Sequence, residues 1–218
     1  MIDKLVSENI KVIALDWDGT VVDSVPYKVA QNQAIAREFG HDLSLDEVRQ
    51  IWNEAAGFPA LMQQLTGSTD MGKIMEVVKR DYDNPAYAKR EFGFAKAALM
   101  AMRAENVQLG VLTNATREIL QLDAGTLGFN LQKDFDYTQA ADEYKHKKPD
   151  GRVFVPLLSH FGIAAHQLLY VGDELKDYQA AQNIGSQFIG VTTGMLTEQE
   201  FQAAGIPFVK NISEIKLS

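Results

Sequence analysis

The sequence has no cysteine among its 218 residues. A disulfide framework, a thiol nucleophile and a thiolate metal site are therefore excluded. No apolar run approaches the roughly 18 residues that a membrane-spanning helix requires. Internal repeats and low-complexity tracts are absent as well. These absences indicate an ordinary globular chain, either one large domain or a domain with a sizeable insertion.

The chain also has fewer basic residues than acidic residues. The chain has 21 Lys and Arg against 29 Asp and Glu, a formal net charge of -8. Because a negative chain is repelled by a phosphate backbone, no nucleic-acid partner is expected. The first residues, MIDKLVSENIK, contain no apolar segment of the kind found in signal peptides. Together with the missing membrane span, this predicts a cytoplasmic protein without a membrane partner.

The apolar pattern changes character along the chain. Residues 11–16, KVIALD, predict a short buried strand. From residue 24 to about 94 the pattern is helical, with Ser44 and Glu47 spaced as a capping box. Strands and helices then alternate, and residues 151–162 predict a helix kinked at Pro156. Such alternation favours an α/β fold, a parallel sheet with helices on both faces, carrying a smaller inserted helical domain.

Polar side chains follow the predicted strands where each strand ends. The stretch VIALDWDGTVVDS passes from an apolar run to Asp16 and Asp18, two like charges that need compensation near a dry core. Thr113 and Asn114 end a second strand, and Asp173 ends a third. Asp177 follows Asp173 at helical spacing, and the lysines of KHKK precede another helix. Ligands of open parallel sheets bind beyond the carboxyl ends of the strands, so these groups are expected to converge.

This set of groups has a coherent chemistry. Carboxylates without His or Cys suit Mg²⁺, which would also offset the repulsion between Asp16 and Asp18. A lysine and a hydroxyl suit an anion, most simply phosphate. One carboxylate can then act as a nucleophile and form an aspartyl phosphate, while a second one acts as general acid and base.

Simpler interpretations exist for every motif taken alone. A D-x-D-G-T stretch is often a polar turn, and a Thr-Asn pair often ends a strand. A calcium loop of the EF-hand type is disfavoured, because Val21 stands where it needs glycine and Tyr27 where it needs glutamate. The joint occurrence of the motifs at strand ends favours function over these alternatives.

With this set of motifs, the chain resembles members of the haloacid-dehalogenase-like (HAD) hydrolase superfamily. The resemblance is to its phosphoglycolate phosphatase and β-phosphoglucomutase group. LDWDGTVVDS, LTN, KKPD and VGDELKDYQAAQNIG are similar to its four motifs in order. The resemblance implies a Rossmann-like catalytic core made of residues 1–22 and 95–218. It also implies a helical cap domain over residues 23–94.

By the same resemblance, Asp16 is the nucleophile and Asp18 the general acid and base. Lys148 pairs with the nucleophile and the phosphate, and its neighbour Lys147 is the alternative for this role. Thr113, together with the backbone of Asn114, holds the phosphate.

Further positions follow from the resemblance. Asp173 is a Mg²⁺ ligand together with the carboxylate of Asp16 and the backbone carbonyl of Asp18. Asp177 supports the metal, directly or through water. Gly57, in the cap loop AAGFP, is a candidate for substrate contact. Glu174 departs from the family pattern, which often has a small hydroxylic residue there, and it either supports the metal or faces solvent.

The resulting hypothesis is a Mg²⁺-dependent phosphatase that hydrolyses a small phosphorylated metabolite through an aspartyl phosphate, similar to phosphoglycolate phosphatases. A phosphomutase similar to β-phosphoglucomutase is the nearest alternative. A non-catalytic phospho-acceptor or binding protein is the alternative from another class. A monomer or a weak homodimer is expected.

Overall fold

A computed structural model describes residues 9–55, 57–82 and 88–217. The prediction that no signal peptide is present rests on residues 1–11, of which residues 1–8 lie outside that range. The chain divides into two compact units. The inserted unit comprises Ser24–Lys89, and the core unit comprises the described residues up to Asp23 and from Arg90 onwards. The catalytic role of the core unit and the cap role of the inserted unit stay predictions.

The core unit is built on a six-stranded sheet in the order β5-β4-β1-β6-β7-β8. Every neighbouring pair in this sheet is parallel. Its strands are β1 (Val12–Leu15), β4 (Gln108–Leu112), β5 (Tyr137–Gln139), β6 (Leu168–Gly172), β7 (Gln187–Val191) and β8 (Phe208–Val209). Two short strands, β2 (Val22–Asp23) and β3 (Arg90–Glu91), pair antiparallel where the chain leaves and re-enters the unit.

Helices cover both faces of the sheet. They are α5 (Ala95–Ala104), α6 (Arg117–Thr126), α7 (Leu131–Asp134), α8 (Val155–Phe161), α9 (Leu175–Ile184) and α10 (Glu198–Ala203). Ile13 and Leu15 of β1 join the core cluster that contains α5 and α6. Val12 and Ala14 join the cluster of α8, α9 and α10. Since successive side chains of a strand point to opposite faces, β1 is shared by two cores, and the predicted α/β fold is confirmed.

The strand register places the candidate residues together at the carboxyl ends of the central strands. Leu15, the last residue of β1, lies opposite Val111 on β4 and Val171 on β6. The ladder extends one step further, because the Asp16 N–H donates to the Val171 carbonyl at 2.8 Å. The polar residues that follow β1, β4 and β6 therefore emerge at the same level.

The inserted unit is helical in its described part. It contains α1 (Val25–Glu38), α2 (Leu45–Glu54), α3 (Phe58–Thr66) and α4 (Met71–Tyr82). The predicted capping box of Ser44 and Glu47 opens α2. The sequence predicts helical structure in this region, but it places residues 55–59 in a loop, whereas α3 already begins at Phe58. Proline is tolerated in a first turn, whose N–H groups have no helical partner, and Pro59 lies there.

The predicted helix around Pro156 needs a similar correction. Residues 151–162 do not form one kinked helix. A 3₁₀ turn over Gly151–Phe154 precedes α8, and Pro156 lies in the first turn of α8. The proline therefore helps to begin the α-helix rather than bending it. Across the described residues, the model has no helix whose length and apolar character would let it cross a membrane.

Candidate active site

Three buried carboxylates meet at the carboxyl ends of the central strands. Asp16 follows β1, Asp173 follows β6, and Asp177 lies in the first turn of α9. One oxygen of each lies within 4.8 Å of one oxygen of the others. We call these three residues the carboxylate cluster. Such close like charges require cations nearby.

Lys148 supplies one positive charge to the cluster. Its Nζ lies 2.9 Å from Asp16 Oδ1 and 2.6 Å from Asp177 Oδ1. A third N–H donates to the Tyr170 hydroxyl at 2.9 Å. Lys148 is buried, with 4% of its surface exposed, whereas its neighbour Lys147 is exposed. The structure therefore brings Lys148, and not Lys147, to the carboxylates.

The electrostatics of the cluster follow from burial. Desolvation raises the pKa of Asp16 to about 7, with Lys148 opposing the shift and Asp177 adding to it. Burial alone would lower the pKa of Lys148, but the charges of Asp16 and Asp177 outweigh it and hold that pKa well above its ordinary value. Lys148 thus stays an ammonium, and the cluster retains an excess of negative charge that a further cation would stabilise.

The Asp173 carboxylate packs against the backbone of two glycines. Its Oδ1 accepts a hydrogen bond from the Thr20 hydroxyl at 3.3 Å, and its Oδ2 accepts one from the Met195 N–H at 2.9 Å. A Cβ placed on Gly194 would lie 1.9 Å from Asp173 Oδ2, and one placed on Gly19 would lie 2.5 Å from it. Two glycines therefore form the cradle that this carboxylate occupies. An all-oxygen donor set with three carboxylates around one lysine fits a hard divalent cation such as Mg²⁺.

Asp177 is engaged on both of its oxygens. Oδ1 faces Lys148, and Oδ2 accepts the Glu174 N–H at 3.0 Å at the start of α9. A Cβ on Gly172 would lie 2.6 Å from Asp177, so the end of β6 must be glycine for α9 to pack there. Through these contacts Asp177 holds Lys148 in place, and its supporting role toward a metal stays a prediction.

Asp18 lies in the tight loop that follows β1. The Val21 and Val22 N–H groups both donate to the Trp17 carbonyl, at 2.9 and 3.0 Å, and Gly19 adopts a φ of +74°. That positive φ favours glycine. The loop keeps Asp18 buried two residues after Asp16.

The second predicted motif contacts the third. The Asn114 side chain donates from Nδ2 to the Lys148 carbonyl and accepts the Lys148 N–H at Oδ1, both at 3.2 Å. The Thr113 hydroxyl accepts the Ala115 N–H at 3.0 Å. Asn114 therefore fixes the main chain that carries the lysine, a contact that the sequence did not reveal. Gly57 lies in the inserted unit, and its role stays a prediction.

Glu174 and Tyr170 complete the surroundings. Glu174 is buried and forms an ion pair with Lys176, so it does not simply face solvent. Tyr170 is fully buried, and burial raises its pKa well above the ordinary value, which keeps the hydroxyl protonated. Its contact with Lys148 was missed, because a tyrosine in an apolar strand is typical of a core.

Comparisons with known proteins agree with this architecture. Residues 13–191 match the model of the family described as haloacid dehalogenase-like hydrolase. A phosphoglycolate phosphatase from Cereibacter sphaeroides is 30% identical over 199 residues, which cover 84% of this chain and 85% of that protein. One from Nitrosospira multiformis is 29% identical over 199 residues, covering 85% and 84%.

Solved structures share the fold. A HAD hydrolase of family IA, variant 3, from Entamoeba histolytica superposes with a TM-score of 0.77 at 15% identity, covering 95% of this chain and 96% of that one. CbbY from Rhodobacter sphaeroides, solved in complex with phosphate, gives a TM-score of 0.71 at 16% identity, covering 94% and 96%. The family model matches residues 13–191, which is most of the chain. The chain therefore belongs to the haloacid dehalogenase-like hydrolases.

Proposed function

We propose that the protein is a Mg²⁺-dependent phosphatase that hydrolyses a small phosphorylated metabolite. The observation that carries this proposal is the Lys148 ammonium held between Asp16 and Asp177, where three buried carboxylates meet. A cation of this kind beside a carboxylate nucleophile neutralises the charge of a phosphoryl group during its transfer. The similarity to phosphoglycolate phosphatases supports a small phosphorylated acid as the substrate.

Asp16 is the proposed nucleophile. Its Oδ1 is fixed by Lys148 and by the Trp17 N–H, which donates to it at 2.8 Å. A carboxylate oxygen of Asp16 forms a bond to phosphorus while the bond to the leaving oxygen breaks, which gives an aspartyl phosphate and an alcohol. Asp18 gives its proton to that leaving oxygen.

Hydrolysis of the aspartyl phosphate completes the reaction. Asp18, now a carboxylate, takes a proton from water as the water oxygen bonds to phosphorus. The bond between phosphorus and Asp16 breaks, which releases phosphate and restores both aspartates. Thr113 and the backbone of Asn114 would hold the phosphoryl oxygens beside Lys148 during both steps.

Mg²⁺ would be held by the carboxylates of Asp16 and Asp173 and by the backbone carbonyl of Asp18, with Asp177 supporting them. When bound, it supplies positive charge that counters the negative charge of the phosphoryl group. The proposal further assigns the inserted unit a cap role that selects the substrate, with Gly57 in its contact loop. We also propose that the protein is cytoplasmic and is a monomer or a weak homodimer.

The test is release of inorganic phosphate from a panel of phosphorylated metabolites, with Mg²⁺ and with a chelator. We expect release that depends on Mg²⁺ and disappears in Asp16→Asn, and a strong loss in Asp18→Asn. Asp42→Asn, which changes an exposed carboxylate of the inserted unit, serves as the matched control and should keep full activity. Equal release by Asp16→Asn and Asp42→Asn would contradict the mechanism. If no compound releases phosphate but a sugar phosphate is isomerised, the protein is a phosphomutase instead.

A further inference from the structure

Tyr170 lies at the centre of the core unit and contacts three of its motifs. Its hydroxyl accepts a hydrogen bond from Lys148 Nζ at 2.9 Å. The same hydroxyl lies 3.2 Å from the Leu112 carbonyl, directly before Thr113, and 3.4 Å from Asp177 Oδ1. A phenol has one proton, so it donates to one of these two oxygens while it accepts from the lysine.

The ring reaches this position by crossing a strand. Tyr170 belongs to β6, whereas Leu112 belongs to β4, and β1 lies between these strands in the sheet. The residue of β1 that pairs with Tyr170 is Ala14. Because alanine has only a methyl group, it leaves room above β1 for the aromatic ring. A larger side chain at this position would occupy the path of the ring.

Packing fixes the ring once it is there. Phe154 meets Tyr170 edge-on with ring centroids 4.7 Å apart, and Phe188 lies at 6.3 Å. Tyr170 has no exposed surface. A side chain held this way places its hydroxyl without the rotamer freedom that a solvent-exposed tyrosine has.

Lys148 has three N–H groups, and the cluster offers three acceptors. Two of them are the carboxylates of Asp16 and Asp177, and the third is the neutral hydroxyl of Tyr170. An ammonium has three N–H donors, so the hydroxyl of Tyr170 adds a third anchor that limits how far Nζ can move toward either carboxylate. From this geometry we infer that Tyr170 is a positioning residue, which acts through Lys148 and sets the direction of its ammonium for phosphoryl transfer. The inference rests on the proposed phosphatase function.

The test compares Tyr170→Phe with Tyr137→Phe. Both changes remove one hydroxyl from a tyrosine of the same sheet, but the Tyr137 hydroxyl donates to Gln139 and lies outside the Lys148 contacts. We expect kcat of Tyr170→Phe to fall by about tenfold to 100-fold, since small misplacements of a catalytic group have effects of this size. KM should change by much less than kcat, and Tyr137→Phe should keep the wild-type kcat.

A second readout does not need activity. In protein labelled with ¹⁵N at the lysine side chains, the Nζ resonance of Lys148 is assigned by its loss in Lys148→Met. We expect this resonance to shift in Tyr170→Phe and to stay in place in Tyr137→Phe. An unmoved resonance, or a kcat in Tyr170→Phe equal to that of Tyr137→Phe, would overturn the inference. If the wild-type protein releases no phosphate, the proposed function fails, and the resonance still decides whether Tyr170 holds Lys148.

Discussion

The core unit and the inserted unit differ in how they treat buried polar groups. In the core unit, Lys148, Asp177 and Asn114 make several mutual contacts, so each fixes another. In the inserted unit, four side chains have a buried polar atom with no hydrogen-bond partner among the described residues. They are Ser24, Gln31, Asn32 and Asn53. Because leaving a buried hydrogen bond unmade costs about 1–3 kcal/mol, these four side chains are the positions where substitution can test the contrast with the mutually bonded groups around Lys148.

The largest effect is expected from Lys148→Met compared with Lys147→Met. Removing Lys148 leaves buried carboxylates without their cation, and breaking a buried pair in this way costs about 3–5 kcal/mol. Lys147 is exposed, so its replacement should change the free energy of unfolding by less than about 0.5 kcal/mol. Urea unfolding in the presence of a chelator measures both. Similar losses in the two variants would contradict the pairing of Lys148.

Asp16→Asn should stabilise the protein without divalent cations, and more so at higher pH. The folded carboxyl has a pKa of about 7 and the unfolded one about 3.8, so the folded state keeps a proton that the unfolded state loses. Wild-type stability therefore falls as pH rises between these values, and asparagine removes that loss. The advantage of the variant should grow by about 2–3 kcal/mol from pH 5 to pH 8. Thermal unfolding of both proteins across this pH range is the measurement. A stability advantage of Asp16→Asn that shrinks as pH rises would contradict the prediction.

Two asparagines test the contrast between the units directly. Asn114→Ala removes both contacts to the Lys148 main chain and should cost about 1–3 kcal/mol. Asn32 is 3% exposed and its Nδ2 has no partner among the described residues, so Asn32→Leu, which keeps the branched skeleton, should be neutral or stabilising. Equilibrium unfolding compares them. A large loss in Asn32→Leu would mean that its amide is satisfied after all.

The smallest effects concern two capping boxes. Ser44 with Glu47 opens α2 in the inserted unit, and Thr197 with Glu200 opens α10 in the core unit. Ser44→Ala and Thr197→Ala should each cost about 1 kcal/mol, because each loses an N-cap hydrogen bond. Native-state hydrogen exchange would show whether each loss stays within its own unit. A loss spread evenly over both units would mean that they unfold as one.

The sequence predicted the site where the signal was local. Asp16 and Asp173 each follow an apolar strand directly, and the end of a parallel strand is where ligands bind. The resemblance of KKPD to the third family motif then indicated Lys148, which directly precedes Pro149. Tyr170 could not be found this way, because its hydroxyl reaches Lys148 only through the pairing of β1 with β6 and the small side chain of Ala14. That pairing joins residues distant in sequence, so no local pattern reports it.

The two corrected helix starts have a common physical reason. The sequence predicts a loop at Pro59 and a kink at Pro156, but both residues lie in the first turn of a helix. There the N–H that proline lacks would have no helical partner, so the residue is compatible with the helix. Where the helix begins depends on packing that a single sequence does not display.

The glycine cradle around Asp173 has a consequence for ion choice. The carboxylate fills the gap that Gly19 and Gly194 leave, and a Cβ at either position would clash with it. A large ion needs ligands that can spread apart, since Ca²⁺ takes six to eight oxygens at about 2.3–2.6 Å in flexible arrangements. If the site holds Mg²⁺ as proposed, a fixed Asp173 would favour that smaller ion, whose ligands lie at about 2.0–2.1 Å. Two residues with no side chain would in this way act as the selectivity element of the site.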